Sequence, residues 1–406
     1  MSTPDDAIGP GEAHALDLLH RAAGPLGFAA AIGGHSHYQR IWTRDGAIAS
    51  LAAVASNDGD LIGAAERTLD TIAAAPGRHG EIPSNVGADG PSYGGIVGRV
   101  DAPLWYAIAV GAVAPVVGTQ FARRHGAVVS RVLDLIDSWE LNGRGLVPVP
   151  MAGTWADEYV ASGYLLDVQL LRVAALRSGL LPDGSRGPDD ARARTASEIV
   201  ARLELDYWSD PETRRDPRHY HPVAYRAVAT RHRAHWLAGF DAAGYTTRFD
   251  ALANTLAIGL GLGSADRQAA VLAFVDRLSG RGLIPAFAPL IGPGDPDWRL
   301  LRNNHRFGFR NNPGAYHNGG LWPWISGLWA AAIARLDPLA ARSHAAAIDA
   351  ANSLGPRGRP GGWAFAEFHN AATGRPGGVM GVTWNAAGSV LARSALRGTF
   401  SIPGGP

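Results

Sequence analysis

The sequence predicts an all-α chain closed into an (α/α)6 barrel, a double ring of six helix pairs. Three observations lead there. Apolar residues recur at helical spacing in segments of about 12 to 18 residues, whereas alternating strand patterns are scarce. Short turns between these segments alternate with long loops that carry aromatic and polar residues. No period of fixed length repeats, which separates the pattern from an ordinary helical solenoid. In such a toroid the ends of the inner helices and the long loops build one funnel at one face.

Taken in order, helical periodicity is expected at Glu12–Ala23, Arg44–Ala55 and Asp60–Ala75, before the Gly/Pro-rich stretch Gly77–Gly98 breaks the pattern. It resumes at Ala102–Val117 and Arg123–Trp139, stops over Asn142–Gly153, and returns at Ala161–Arg177, Ala191–Tyr207, Ala227–Phe240, Tyr245–Leu260 and Ala265–Leu278. After Leu283–Pro313 the last helices fall at Gly319–Ala334, Ala341–Leu354 and Val379–Ala395, with Gly355–Gly362 between the final two. No polar run is long enough for a flexible linker, so residues 1–406 read as one domain. The nearly uncharged stretch Pro103–Phe121 is long enough to span a bilayer, but it is Ala/Gly-rich and contains Pro115. It reads as a helix buried on all sides, with no membrane partner.

Composition removes whole classes of chemistry. The chain has 406 residues, 46% of them hydrophobic, enough for a large core, and a formal charge of +1. That balance speaks against a nucleic-acid partner. All 37 basic residues are arginines, and there is no cysteine. Thiolate nucleophiles, disulfides, Cys-ligated zinc, lysine Schiff bases and a P-loop lysine are therefore excluded. The polar, acidic Met1–Gly11 does not read as a secretory signal, and a cytoplasmic location is the expectation.

What remains is carboxylates, His, Ser/Thr, Tyr and Arg, and these concentrate in four clusters. They are His37–Asp45, Gly153–Tyr159, Gly314–Pro323 and Trp363–Asn370, each mixing aromatics with charged or amide groups at a loop-to-helix junction. A pyranose ring offers apolar C–H faces and a rim of hydroxyls, so aromatic platforms beside paired hydrogen-bonding groups suit a saccharide. Trp42, Trp155, Tyr316 and Trp322 are candidate stacking walls.

Glycoside hydrolysis needs two carboxyl groups across the scissile bond. Asp157, behind Trp155 in a Gly/Pro-bounded loop, and Glu367, among Trp363, Phe365 and Phe368, are the best pair. An aromatic wall would keep Asp157 protonated, and a carboxylate in an apolar run is costly unless it is paired or used. Glu158 adjoins Asp157 as a rival acid; Asp45 reads as a binder of sugar hydroxyls beside Arg44, or as an N-cap; Asp101 could cap its own helix.

The close histidine pairs His35/His37, His219/His221 and His232/His235 do not make a metal site, and no metal or cofactor is expected. Gly90–Gly94 formally matches Gly-x-Ser-x-Gly around Ser92, without the strand and helix that such a nucleophile requires.

In their order along the chain these motifs resemble those of the neutral/alkaline invertases and, more distantly, other inverting (α/α)6 glycosidases of glycogen-debranching and trehalase-like type. The marks are Trp42-Thr-Arg-Asp45, Gly98-Arg-Val-Asp101-Ala-Pro-Leu-Trp105, Asp157 with Leu165–Leu171, Tyr316-His-Asn-Gly-Gly-Leu-Trp-Pro323, Ala366-Glu-Phe368 with Thr373-Gly374, and Thr383-Trp384. The resemblance implies an inverting mechanism, with Asp157 as general acid and Glu367 as the base that activates water. It also implies a site lined by Arg44, Asp45, Asp101, His317, Asn318 and Trp384. The segment around the acid, Gly-Thr-Trp-Ala-Asp-Glu-Tyr, is closer to debranching-type glucosidases than to invertases, so sucrose is one candidate beside another small α-glucoside or a glucosylated or mannosylated small molecule. Two rivals stay open at this stage: a sugar epimerase or polysaccharide lyase on the same toroid, and a non-catalytic carbohydrate-binding protein. Exposed aromatics are also compatible with a homo-oligomer.

Overall fold

A computed structural model describes residues 9–34, 36–185, 187, 189–279 and 282–406. Its α-helices are Pro10–Ala22 (α1), Thr43–Ser56 (α2), Gly59–Ala73 (α3), Asp101–Val117 (α4), Thr119–Ser138 (α5), Leu166–Leu176 (α6), Asp190–Asp206 (α7), Pro222–Val228 (α8), Ala251–Gly259 (α9), Ala265–Leu278 (α10), Trp298–Asn304 (α11), Pro323–Ile333 (α12), Pro338–Asn352 (α13) and Thr383–Leu396 (α14).

Six of these close a ring: α2 packs on α4, α4 on α6, α6 on α9, α9 on α12, α12 on α14, and α14 back on α2. Outside it, α1 lies against α14, α3 against α2, α5 against α4, α7 against α6 and α13 against α12. The outer α10 reaches inward through Phe274, whose ring meets those of His235 and Phe249 at 4.7 and 5.3 Å. This is the (α/α)6 barrel that the sequence predicts.

Side-chain pattern decides which ring a helix joins. Twelve of the fourteen residues of α2 are buried, against six of fifteen in α3, whose apolar residues line one stripe. Inner helices are accordingly built from small residues that let backbones touch. A Cβ on Gly327 of α12 would lie 2.4 Å from the carbonyl oxygen of Gly388 on α14, so that crossing admits nothing larger than glycine. The apolar stretch at Pro103 is the body of inner helix α4, and no helix among the described residues is long and apolar enough to cross a membrane.

Side-chain caps are commoner on the outer helices. Asp58, Asp189, Ser264 and Asp337 each accept a backbone N–H in the first turn of an outer helix, as Asp250 does for the inner α9, whereas the other inner helices α2, α4, α6, α12 and α14, and the outer α1 and α5, begin without a side-chain cap. The long loops before the inner helices are held instead by small antiparallel ladders, Ile41–Trp42 with Asn85–Gly87 and Gly90–Ser92, and Tyr164–Leu165 with Gly239–Asp241 and Gly244–Thr246.

These ladders correct several expected boundaries. The helix expected over Ala227–Phe240 is not formed: α8 ends at Val228, and the backbone beyond it bonds to tertiary partners. Trp236 N donates to Asn254 Oδ1 at 2.9 Å, and Leu237 N to the Tyr207 carbonyl at 2.9 Å. The apolar residues there are buried by a strand and a loop, which periodicity alone cannot separate from a helix. For the same reason α6 and α9 start later than expected, at Leu166 and Ala251, after short strands. The helix α11 lies outside every expected helix, and α8 meets an expected one only at Ala227 and Val228.

Candidate active site

Asp157, Glu367, Trp42, Arg44, Asp45, Trp155, Tyr316, His317, Trp322 and Trp384 line a single cavity of about 520 Å³ at one end of the barrel. Inner helices open into it: Arg44 and Asp45 stand in the first turn of α2, Trp384 in the first turn of α14, and Trp322 immediately before α12.

Asp157 sits on the loop before α6. That loop is pinned by Val100 N donating to the Gly153 carbonyl at 2.8 Å and by Thr154 Oγ1 donating to the buried Asp167 at 2.9 Å. Arg99 Nη2 donates to Asp157 Oδ2 at 2.8 Å, while its Nη1 is spent on the carbonyls of Val97 and Ala152. The surroundings are therefore polar rather than the apolar pocket expected from Trp155. The Asp157 side chain is 27% exposed and held by a guanidinium.

Glu367 is buried. Its backbone N donates to the Val379 carbonyl at 2.8 Å, and Asn385 Nδ2, from α14, donates to the Ala366 carbonyl at 2.6 Å. Tyr38 Oη donates to Oε1 at 3.1 Å and Val379 N to Oε2 at 3.2 Å. Burial pushes its carboxyl above the usual range, opposed by the Arg310 cation and by these two donors. A carboxylate so lifted is a better proton acceptor than an exposed one.

At the floor, Arg44 Nη1 donates to Asp101 Oδ2 at 2.8 Å and the guanidinium lies 5.6 Å from the Trp384 ring. Burial lifts Asp45 to about 7, against the pull of Arg44. Burial also holds His317 well below its ordinary value, helped by nearby arginines, so its imidazole is neutral. It stacks on Trp322 at 5.3 Å and meets the edge of Trp155 at 5.1 Å.

Two expected lining residues are displaced from the cavity. Asn318 is buried structure: its carboxamide donates to the Ile291 and Asn311 carbonyls at 2.8 and 3.0 Å and accepts from Ile291 N at 2.9 Å, stitching three loop segments. Asp101 lies behind Arg44 as its counter-ion, fully buried. Trp155 and Trp322 border the cavity but are each only 1% exposed, too little for a stacking face; they back His317, whereas the partly exposed Trp42 retains an open ring.

Sequence reasoning missed Tyr38, Arg99, His305 and Arg310 as lining residues and left Glu158 as a rival acid. Tyr38 and Arg99 stand inside motifs already singled out, so proximity to Trp42 and Asp101 was the signal. Arg310 had none, because the Leu283–Pro313 stretch reads as a connection. It forms an ion pair with Glu158 and donates Nη2 to Tyr316 Oη at 2.8 Å. Of the histidine pairs, His219 bonds Asp206 and the Thr213 carbonyl, and His235 the Trp236 carbonyl; His35 lies outside the described residues.

The backbone records the same concentration. Among the described non-glycine residues, positive φ occurs at Ala152, Tyr316, Trp363 and Phe365, all close in sequence to Asp157, His317 or Glu367, and at Asn57, which ends α2. Each costs about 1–3 kcal/mol and persists where surrounding bonds fix the segment, as they do here.

No family model matches the chain. Alkaline/neutral invertase C, mitochondrial, of Arabidopsis thaliana is 22% identical over 424 residues; the match takes in 89% of this chain and 61% of the invertase, so the chain spans about three-fifths of that relative's length. Among solved structures, the GH63 mannosylglycerate hydrolase from Thermus thermophilus in complex with Tris aligns with a TM-score of 0.68 at 15% identity, covering 94% of this chain and 99% of that one. A bacterial glucoamylase complexed with acarbose aligns with a TM-score of 0.60 at 16% identity, covering 98% and 56%. These likenesses share the (α/α)6 barrel, and the invertase match agrees with the motif resemblance.

Proposed function

We propose that the chain is an inverting glycoside hydrolase that removes a terminal glucose-like or mannose-like residue from a short α-glycoside. The observation that carries this reading is the meeting of Asp157 and Glu367, from loops far apart in the chain, in one cavity floored by Arg44 and Asp45. Asp157 is the general acid: its proton passes to the leaving-group oxygen as the glycosidic bond breaks. Glu367 is the base: it takes a proton from the water that attacks the anomeric carbon on the opposite face. No covalent intermediate forms, and the two carboxyl groups are expected roughly 6.5–9.5 Å apart to admit that water. Asp45, lifted toward neutrality, and Arg44 bind ring hydroxyls, with Trp42 against the apolar face. His317, held neutral, is a poor cationic proton donor, which favours the carboxylate pair over a histidine shuttle.

Sucrose, another small α-glucoside and a glucosylated or mannosylated small molecule are the substrate candidates; for the last, an acidic leaving group would meet His305 and the arginines Arg99 and Arg310, which pair with Asp157 and Glu158 on the acid side of the cavity. Proton NMR of the protein with sucrose, maltose, isomaltose, trehalose, glucosylglycerate and mannosylglycerate tests the reading. The expected first signal is the inverted β-anomer from one of them, abolished in Asp157→Asn and in Glu367→Gln with the fold intact. An initial α-anomer refutes inversion, and near-normal turnover by either variant refutes its assignment.

A further inference from the structure

Each catalytic carboxyl group hangs on a loop that is gripped by a side chain in the first turn of the inner helix after it. The acid loop is closed at its ends by Val149 and Gly163, which exchange two backbone hydrogen bonds of 2.7 and 2.9 Å. Within it, Thr154 Oγ1 donates at 2.9 Å to Oδ2 of Asp167, the second residue of α6. On the base side, Asn385, the third residue of α14, donates to the Ala366 carbonyl and accepts from Trp324 N at 3.1 Å. Both clamps close over a strained backbone: positive φ occurs at Ala152, two residues before Thr154, and at Phe365, next to Ala366. Such conformations last only where surrounding bonds hold them.

Asp167 is the group that the proton transfers leave unexplained. It does not line the cavity, and it is 1% exposed beside a Thr154 that is 2% exposed. A buried carboxylate is costly unless it is paired or used, and the Thr154 hydroxyl is its one side-chain donor among the described residues. Resting on the reading of Asp157 as the acid, we infer that Asp167 is a positioning residue: through Thr154 it holds the loop so that Asp157 meets the leaving-group oxygen. The path between them is short. Thr154 stands three residues before Asp157, and the turn that carries the acid is closed by Tyr159 N donating to the Ala156 carbonyl at 2.9 Å. Without the Thr154 bond, Ala152 is free to relax, and the segment shifts with Asp157 on it.

The acid and the base fail differently. An alcohol leaves only with the acid's proton, fluoride leaves without it, and the attacking water needs the base in both cases. Thr154→Val removes the hydroxyl at nearly constant shape. It is expected to lower kcat on the glycoside found in the NMR panel by on the order of 10²-fold, the cost of about 1 Å of misplacement, while kcat on α-D-glucosyl or α-D-mannosyl fluoride stays within about threefold. Asp167→Ala gives the same pattern, and Thr154→Val carries the test even where Asp167→Ala does not fold. Thr154→Ser restores the glycoside rate, and Asn385→Ala, which loosens the base, lowers both rates alike. A bond that only stabilises the fold acts on both substrates equally, so parallel losses in Thr154→Val overturn the inference. A second readout needs no substrate: hydrogen exchange over residues 150–163, followed by mass spectrometry, is faster in Thr154→Val than in the parent or in Thr154→Ser. Unchanged exchange there overturns the inference, as does a normal glycoside rate. Faster exchange in a protein that hydrolyses nothing, or loss of fluoride turnover in Asp157→Asn, overturns the catalytic reading and not the clamp.

Discussion

Adding one methyl group at Gly378 should disable the base without touching it chemically. Gly378 lies at φ +74°, and a Cβ built there would stand 2.1 Å from Glu367 Oε2 and 2.6 Å from Glu367 Cβ. Ordinary contact begins at 3.4 Å, so the carboxylate must retreat by more than 1 Å. It has little slack to do so, because Oε1 is held by Tyr38 and Oε2 by Val379 N. A misplacement of about 1 Å costs on the order of 10²-fold in rate, and placing alanine in the left-handed region costs about 1–2 kcal/mol of stability. Gly378→Ala should therefore lose about 100-fold in kcat while unfolding in urea only about 1–2 kcal/mol earlier. The assay is the initial rate on whichever glycoside the NMR panel identifies, beside a urea titration followed by circular dichroism. A kcat within about threefold of the parent, in a protein that is folded, would show that Glu367 has no need of its present position and would sink the argument for it as the base.

Two further outcomes follow from buried charge. Asp45 has a folded value of about 7, raised by burial, against about 3.9 in an unfolded chain. A raised carboxyl contributes stability that is fully present below the unfolded value and is lost as pH rises through the folded one, so stability should fall between about pH 4 and pH 7. Asp45→Asn should flatten that fall in urea titrations across the range while destroying activity; an unchanged slope would mean that Asp45 is ionised in the folded protein. Asp101→Ala leaves the buried Arg44 guanidinium without its 2.8 Å partner, and a loss of about 3–5 kcal/mol is expected in the same titration. A loss below about 1 kcal/mol would show that the pair contributes little and that Asp45 alone satisfies Arg44.

The helices were legible because their cause is local. A residue's burial on one face repeats every 3.6 positions, and the all-round apolar Pro103 stretch announced inner helix α4 from composition alone. That Asp157 and Glu367 line the cavity was legible from the mixed aromatic and polar clusters that hold them, but the polar, Arg99-held surroundings of Asp157 were not. The Ala227–Phe240 segment was misread because a strand and loop buried by their neighbours carry the same apolar spacing as a helix.

What the tertiary structure alone decided is which of these groups meet and in what surroundings. Asn318 sits beside His317 in the chain, yet its amide is spent on loop carbonyls. Asp101 lies in a motif that suggested the cavity wall, yet it backs Arg44. Arg310, in a segment that reads as a plain connection, stands between Glu158 and Tyr316, and Arg99 rather than an indole is the partner of Asp157. Sequence patterns report how a residue is placed against its own helix or strand. Contacts between loops more than a hundred residues apart, and the desolvation that lifts Asp45 and Glu367, exist only once the sixth inner helix packs against the first and closes the ring.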